Sequence, residues 1–214
     1  MRVYVGQTRS RALIAELLTR GWGECTNRGE LPPRRYPWFL DNGAFSDWRS
    51  GRAFDAGAFW SDLNSEVAAL YPPDFVVCPD RVAGGLDSLA FSRHWLAHCV
   101  SARPGLRYFL AVQDGMTEAD VYPALAGFAG VFVGGTLDWK LSTGAAWVRF
   151  AHRFGLPCHI GRVGTAKRVR WAIEVGADSI DSCLPLWSRD KLRVFTEALA
   201  AGVANDNVPD KEVA

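Results

Sequence analysis

The chain has 214 residues, enough for one domain with a sizeable core, and no shift in composition marks a second. Its 49% hydrophobic content and nine tryptophans point to a well-packed globular protein. A formal net charge of +1 gives no global field for nucleic acid, so any basic surface must be local.

Residues 2–5 read as a strand and 10–19 as a helix, with apolar positions at Leu13, Ile14, Leu17 and Leu18. A polar stretch over 21–35 loops to a strand at 36–40. A helix over 54–71, a strand over 74–78 and a helix over 86–101 follow. The next units are a strand at 107–112 with a helix at 118–126, then a strand at 131–133 with a helix at 147–154. Strands at 157–160 and 178–180 flank a helix at 166–175, and the last helix covers 190–201.

These are seven β-then-α units with short, nearly continuously apolar strands. That pattern belongs to parallel strands covered by helices on their outer side. A (β/α)8-type TIM barrel and a doubly wound open sheet both fit. The first strand is followed by "VGQTRSR" rather than a GxGxxG turn, which favours the barrel. The eighth unit is expected to be incomplete or atypical. Residues 1–202 form the single domain, and 203–214 read as a loose polar tail.

The five cysteines lack a CxxC pair and read as buried thiols of a reducing cytoplasm, not a disulfide frame or zinc site. No basic-then-apolar leader opens the chain, and no apolar run reaches the roughly 18 residues of a membrane span. A cytoplasmic protein without membrane contact is expected.

A barrel carries its active site at the C-terminal strand ends. Those ends hold Asp41 in "WFLDNGAF", Asp80 in "VVCPDRV", Gln113 in "LAVQDG" and Gly134–Gly135 in "VFVGGT". "GRVGT" and Asp181 complete the series. Each alone is an ordinary turn residue. Together, three carboxylates and an amide suit a cationic or donor-rich ligand better than chance. The strand ends, read this way, lack His, Lys and Cys, which argues against Schiff-base and metal-assisted chemistry. Strand alternation sends Asp178 to the face opposite Asp181.

These segments resemble the tRNA-guanine transglycosylases. "DNGAF" resembles the family's DSGGF/Y segment, "VVCPD" its second aspartate strand, "LAVQDG" its VQGG and "VFVGGT" its IGGL. "HIGRVGTAKRVRWAIEVGADSIDSCLP" is similar to its nucleophile run, and the order agrees over about residues 38–185. The resemblance implies Asp181 as nucleophile and Asp41 as general acid/base. It implies a base pocket of Asp80, Gln113, Gly134, Gly135 and Thr136, with Phe45 stacked on the purine. Asp80 would accept from guanine N1–H and N2–H, while Gln113 and the Gly135 N–H donate to O6. No cofactor and no metal are implied.

The chain departs from that pattern in several places. Thr136 stands for a leucine, and Gly161 stands where a base-stacking Met is expected. Only 33 residues follow Asp181, without the family's CxCxxC…H zinc ligands. This is closer to phage and bacterial DNA 7-deazaguanine transglycosylases, which insert a base such as preQ0 into DNA. The implied partners are nucleic acid, DNA before tRNA, and a free 7-deazaguanine base. A phage-encoded member would act in the host cytoplasm. The phosphate contacts expected at the barrel rim are Trp48, Arg49, Arg52, Arg162, Lys167 and Arg168. Arg28, Arg34 and Arg35 are weaker candidates, and Arg170 is expected to lie away from the site. Three other readings stay open here: a trimmed tRNA-guanine transglycosylase, a non-catalytic binding subunit, and an unrelated barrel holding a phosphate on "GRVGT".

Overall fold

Eight parallel strands close into a barrel in chain order, with β1 (Arg2–Val5) hydrogen-bonded to β8 (Ser179–Ser182). The structure is a computed structural model that describes residues 1–29 and 37–206, with side chains to residue 202. Between the closing strands run β2 (Gly23–Thr26), β3 (Trp38–Leu40), β4 (Val76–Val77) and β5 (Tyr108–Val112). Then come β6 (Gly130–Val133) and β7 (Cys158–Ile160). The (β/α)8 TIM-barrel expectation holds.

The eighth strand is complete, and it is the second in the chain. Gly23–Thr26 pairs with both β1 and β3 inside the stretch expected to be a loop. "GECT" has a glycine and a glutamate and little strand propensity; pairing on both edges decides its conformation. The barrel therefore closes without a strand after β8. Its last helix, α9 (Arg189–Asp206), carries residues 203–206 of the expected tail, and 207–214 lie outside the described residues.

The helices show three further differences. Residues 44–49 form a short helix, α2 (Ala44–Arg49). The helix expected over 54–71 is two: α3 (Ala56–Leu63) and α4 (Glu66–Leu70). Ser65 divides them, its side chain capping the Ala68 N–H at 3.1 Å. The helix expected at 147 begins at Leu137, as α7 (Leu137–Arg153). "LSTG" weakens that helix locally, but Gly144 is needed because a Cβ there would lie 2.8 Å from the Trp171 ring. The remaining helices are α1 (Arg11–Thr19), α5 (Gly85–Ala102), α6 (Glu118–Val121) and α8 (Ala166–Glu174). No helix among the described residues is long and apolar enough to cross a membrane.

The strand pleat sorts side chains into two cores. Val3, Leu40, Val76, Leu110, Val133 and Ile160 face the helices. Tyr4, Phe39, Phe75, Phe109 and Phe132 face the barrel axis. The axial rings stack: Phe75 lies 4.1 Å from Phe109 and 4.5 Å from Phe39, nearly parallel in both cases. Glycines make room for them. A Cβ at Gly23 or Gly130 would lie 2.5 Å from the rings of Tyr4 and Phe109, their partners in register. Gly161 does the same for Phe132. Packing thus requires glycine at the position where the resemblance implies a base-stacking Met.

Overfilling such a floor is costly. Gly130→Ala is expected to lower unfolding stability by about 1–3 kcal/mol, read as a lower urea midpoint at unchanged slope.

Candidate active site

Inward-facing positions at the C-terminal strand ends surround a cavity of about 330 Å³. Asp41, Asp80, Gln113, Gly134, Phe45, Arg49, Arg162 and Asp181 all line it. Residues spread over 140 positions of sequence share one mouth because strand ends in a closed barrel must converge.

"DNGAF" builds one wall through side chain-to-backbone bonds. Asp41 Oδ1 accepts from the Gly43 N–H at 3.1 Å, and Asn42 Oδ1 accepts from the Ala44 N–H at 2.8 Å, starting α2. Gly43 has φ +78°, a turn that disfavours any side chain. Asn42 Nδ2 donates to the Cys78 carbonyl at 2.9 Å and to Asp80 Oδ1 at 2.7 Å, tying this wall to β4.

Asp80 is buried, and Gln113 Nε2 donates to its other oxygen. Burial, with the Asp41 charge nearby, pushes its carboxyl up to about 7 against the pull of the Asn42 and Gln113 amides. Burial likewise raises Asp41 to about 6, with the Asp181 charge adding to it and the Gly43 N–H and two arginines opposing. Both carboxyls sit above their ordinary value of 3.8. Their contribution to stability is present below that value and lost as pH rises through about 6 and 7. At neutral pH these two groups therefore work against folding, as functional carboxyls often do.

Asp181 stands at the centre. Its Oδ1 lies 3.0 Å from His159 Nε2, and the Arg162 N–H reaches both carboxylate oxygens at 3.1 Å. Arg162 adopts φ +58°, a left-handed conformation rare for a side chain of that size. The turn aims its N–H at Asp181 while Val163 N–H bonds the Asp181 carbonyl at 2.8 Å. Asp178 points away, accepting from Cys158 N–H at 2.7 Å beside His152 at 2.8 Å, on the outer face as expected.

Sequence reasoning missed two buried titratable groups near Asp181. His159 is fully buried, stacked 4.8 Å from Phe132, with Nδ1 2.8 Å from Ser179 Oγ. Parity was the available signal, since 159 lies two residues before 161 in a strand and must share its inward face. Burial lowers the His159 pKa, against the pull of Asp181. Lys140 is also buried, and its Nζ donates to the Gly161 carbonyl. Burial, then the Arg162 charge, brings its pKa down to about 7. It lay in the unexpected first turn of α7. Cys25 and Cys183 also line the mouth, so the strand ends do not lack Cys. Cys183 is exposed, unlike the other four thiols.

Several of the expected site residues have protein partners. The Gly135 N–H donates to Gln113 Oε1 at 2.8 Å, so these two buried groups satisfy each other. Gly134 gives that carboxamide its space: a Cβ there would sit 2.6 Å from Gln113 Nε2. Thr136 is exposed and bonded through N–H and hydroxyl to Asp114, outside the cavity. Arg162 faces inward. Its guanidinium lies 3.9 Å over the Phe45 ring and donates to the Gly135 carbonyl, placing a cation among the three carboxylates rather than at the rim.

The other arginines divide by position. Arg49 is exposed and lines the mouth, whereas Trp48 and Arg52 line a neighbouring groove. Lys167 and Arg168 begin α8 and line neither. Arg170 is exposed on α8, outside the mouth as expected. Arg28 is a structural ion pair, 2.7 Å from Asp47 and nearly buried. Arg34 and Arg35 lie outside the described residues.

No family model matches the chain, and no curated protein matches it.

An ionised Asp181 only accepts hydrogen bonds, so His159 carries its proton on Nε2 and accepts from Ser179 on Nδ1. The imidazole is expected to titrate below its ordinary value of about 6.5. ¹⁵N shifts should report the neutral Nε2–H tautomer at pH 7, and an imidazolium there would contradict this arrangement.

Proposed function

We propose that the protein is a transglycosylase that exchanges guanine in nucleic acid, DNA before tRNA, for a 7-deazaguanine base such as preQ0. The observation that carries the reading is the convergence of Asp41, Asp80 and Asp181 with Gln113 and Phe45 in one small cavity. A buried carboxylate beside a carboxamide matches the donor–donor–acceptor edge of guanine. An anion clamped on both oxygens is held ready to attack a sugar carbon.

In this reading the target guanosine leaves the stack, costing on the order of a few kcal/mol. Asp80 accepts from guanine N1–H and N2–H. Gln113 Nε2, released from Asp80, turns to O6 while its Oε1 stays on the Gly135 N–H. Asp181 attacks C1′, the C1′–N9 bond breaks, and guanine departs with the bonding pair. A glycosyl ester forms on Asp181. Asp41, with a carboxyl at about 6, can give a proton to the leaving base and take one from the incoming base near neutral pH. The incoming nitrogen displaces Asp181 from C1′, so two inversions leave the configuration retained. His159 and the Arg162 N–H orient the nucleophile, and Arg162 stacked on Phe45 shapes the base slot.

Incubation with labelled guanine or preQ0 and either duplex DNA or tRNA tests the reading. Label should enter DNA; entry into tRNA alone would reassign the substrate, and entry into neither would reject the exchange. Asp181→Asn should abolish both exchange and any trapped covalent adduct while keeping affinity for free guanine within about threefold, since only the nucleophile is lost.

Asp80 accepts two donors only as an anion. With its carboxyl at about 7, guanine affinity should fall about tenfold from pH 8 to pH 6. Calorimetric titration at the two values measures this, and an unchanged affinity would remove Asp80 from base recognition.

A further inference from the structure

A second cavity, about 520 Å³, lies beside the barrel mouth and shares Asp80 and Val82 with it as a common wall. The reaction proposed above leaves it unused. Its sides come from α2, the loop after α2, the loop after β4, and α5: Trp48, Arg52, Phe54, Arg81, Phe91 and Trp95. Trp48 is 51% exposed on a six-residue helix, an uncommon setting for so large an apolar ring. The Arg81 guanidinium lies 4.8 Å over the Phe91 ring, and both it and Arg52 are exposed. Asp47, also in the wall, is bonded to Arg28 and Arg52, so its charge is compensated.

The two cavities are joined by aromatic contact. Phe45 lines the mouth and Trp48 the groove, with ring centroids 5.8 Å apart and planes tilted by 32°. Arg162 stacks on the same Phe45. Arginine planes and aromatic faces therefore run continuously from the Asp181 chamber outward. Aromatic walls with unpaired-strand reach and flanking guanidinium donors are the chemistry that holds a base and its phosphate. The cavity is within the size range of small-molecule sites, about 300–1,000 Å³.

We infer that this groove is a second subsite, which takes the nucleotide next to the target guanosine in the same strand, its base on Trp48 and its phosphate on Arg52 and Arg81. The inference rests on the nucleic-acid reading of the barrel mouth. It adds that the target's neighbour also leaves the helical stack, and that the groove stabilises it by stacking rather than by reading base edges. Sequence preference at that neighbour is accordingly weak, while the presence of a base there matters.

The test uses the full chain and fluorescein-labelled nine-nucleotide single strands with one central dG in a thymidine background. Either the 5′ or the 3′ neighbour of dG is replaced by an abasic residue, and binding is read by anisotropy. One abasic strand should bind roughly tenfold more weakly than the intact one, the scale of one stacked base, and the other should bind nearly as the intact strand does. In Trp48→Ala the intact strand should weaken by a similar factor and the abasic penalty should vanish, while free guanine binding is unchanged. Arg81→Gln should weaken intact and abasic strands alike and flatten the salt dependence.

An abasic penalty that persists in Trp48→Ala, or no penalty at either neighbour, overturns the subsite. A wild-type protein that binds none of the strands overturns the subsite together with the nucleic-acid reading. Strand binding that depends on Trp48, without base exchange, upholds the subsite and overturns the transglycosylase reading alone.

Discussion

The floor of aromatic rings inside the barrel sets the height at which everything else stands. Phe39, Phe75, Phe109 and Phe132 fill the axis, and glycines at 23, 130 and 161 remove the Cβ atoms that would collide with rings. Each buried Phe contributes on the order of 1.5–3 kcal/mol, and each good ring pair about 0.5–1.5 more. His159 belongs to this layer by packing and to the site by hydrogen bonding. It is the hinge between core and chemistry: stacked on Phe132 below, bonded to Asp181 above. A carboxylate resting on a packed floor cannot sink or tilt without moving an aromatic ring.

Above the floor, the arrangement of charge is unusual for a fold with a net charge of only +1. Three carboxylates share a small mouth, and desolvation works against all three ionising together. The chain answers this unevenly. Asp181 receives a backbone N–H on both oxygens, Asp80 receives two amides, and Asp41 receives a single N–H from its own turn. Burial outweighs the bonds to Asp41 and Asp80 and holds both carboxyls near neutrality. Arg162 serves all of them, with its backbone on Asp181 and its guanidinium among the acids, and its left-handed φ is what lets one residue do both.

The mouth and the groove beside it also divide the sequence's arginines and tryptophans by burial. Arg28 and Arg162 are largely buried against protein partners, whereas the guanidinium groups of Arg52, which reaches Asp47, and Arg81, which lies over Phe91, stay exposed. Residues that look equivalent as basic positions in a loop therefore act in different ways. Packing makes the distinction, because a guanidinium buried among protein partners is shut off from a phosphate, whereas an exposed one keeps donors turned to solvent.

The strand-end pattern was legible in sequence because period-two alternation and barrel closure are local and topological rules, respectively. Asp41, Asp80, Gln113, Gly134 and Asp181 could be named from it, and so could the outward turn of Asp178. β2 could not, since "GECT" becomes a strand only when β1 and β3 offer it partners. His159 and Lys140 escaped notice because an inward strand residue and a buried helix residue look like core until their neighbours are known. The bond between Gln113 and Gly135, the bonds of Thr136 to Asp114 and the turn of Arg162 onto Phe45 were not legible, because each joins residues distant in sequence. By itself the sequence determined the repeating βα order and which residues end each strand, because those follow from periodicity along one chain. Only the tertiary structure decided which polar groups satisfy one another and which remain turned to the mouth. Hydrogen bonding and burial depend on distances between residues that are far apart in the chain.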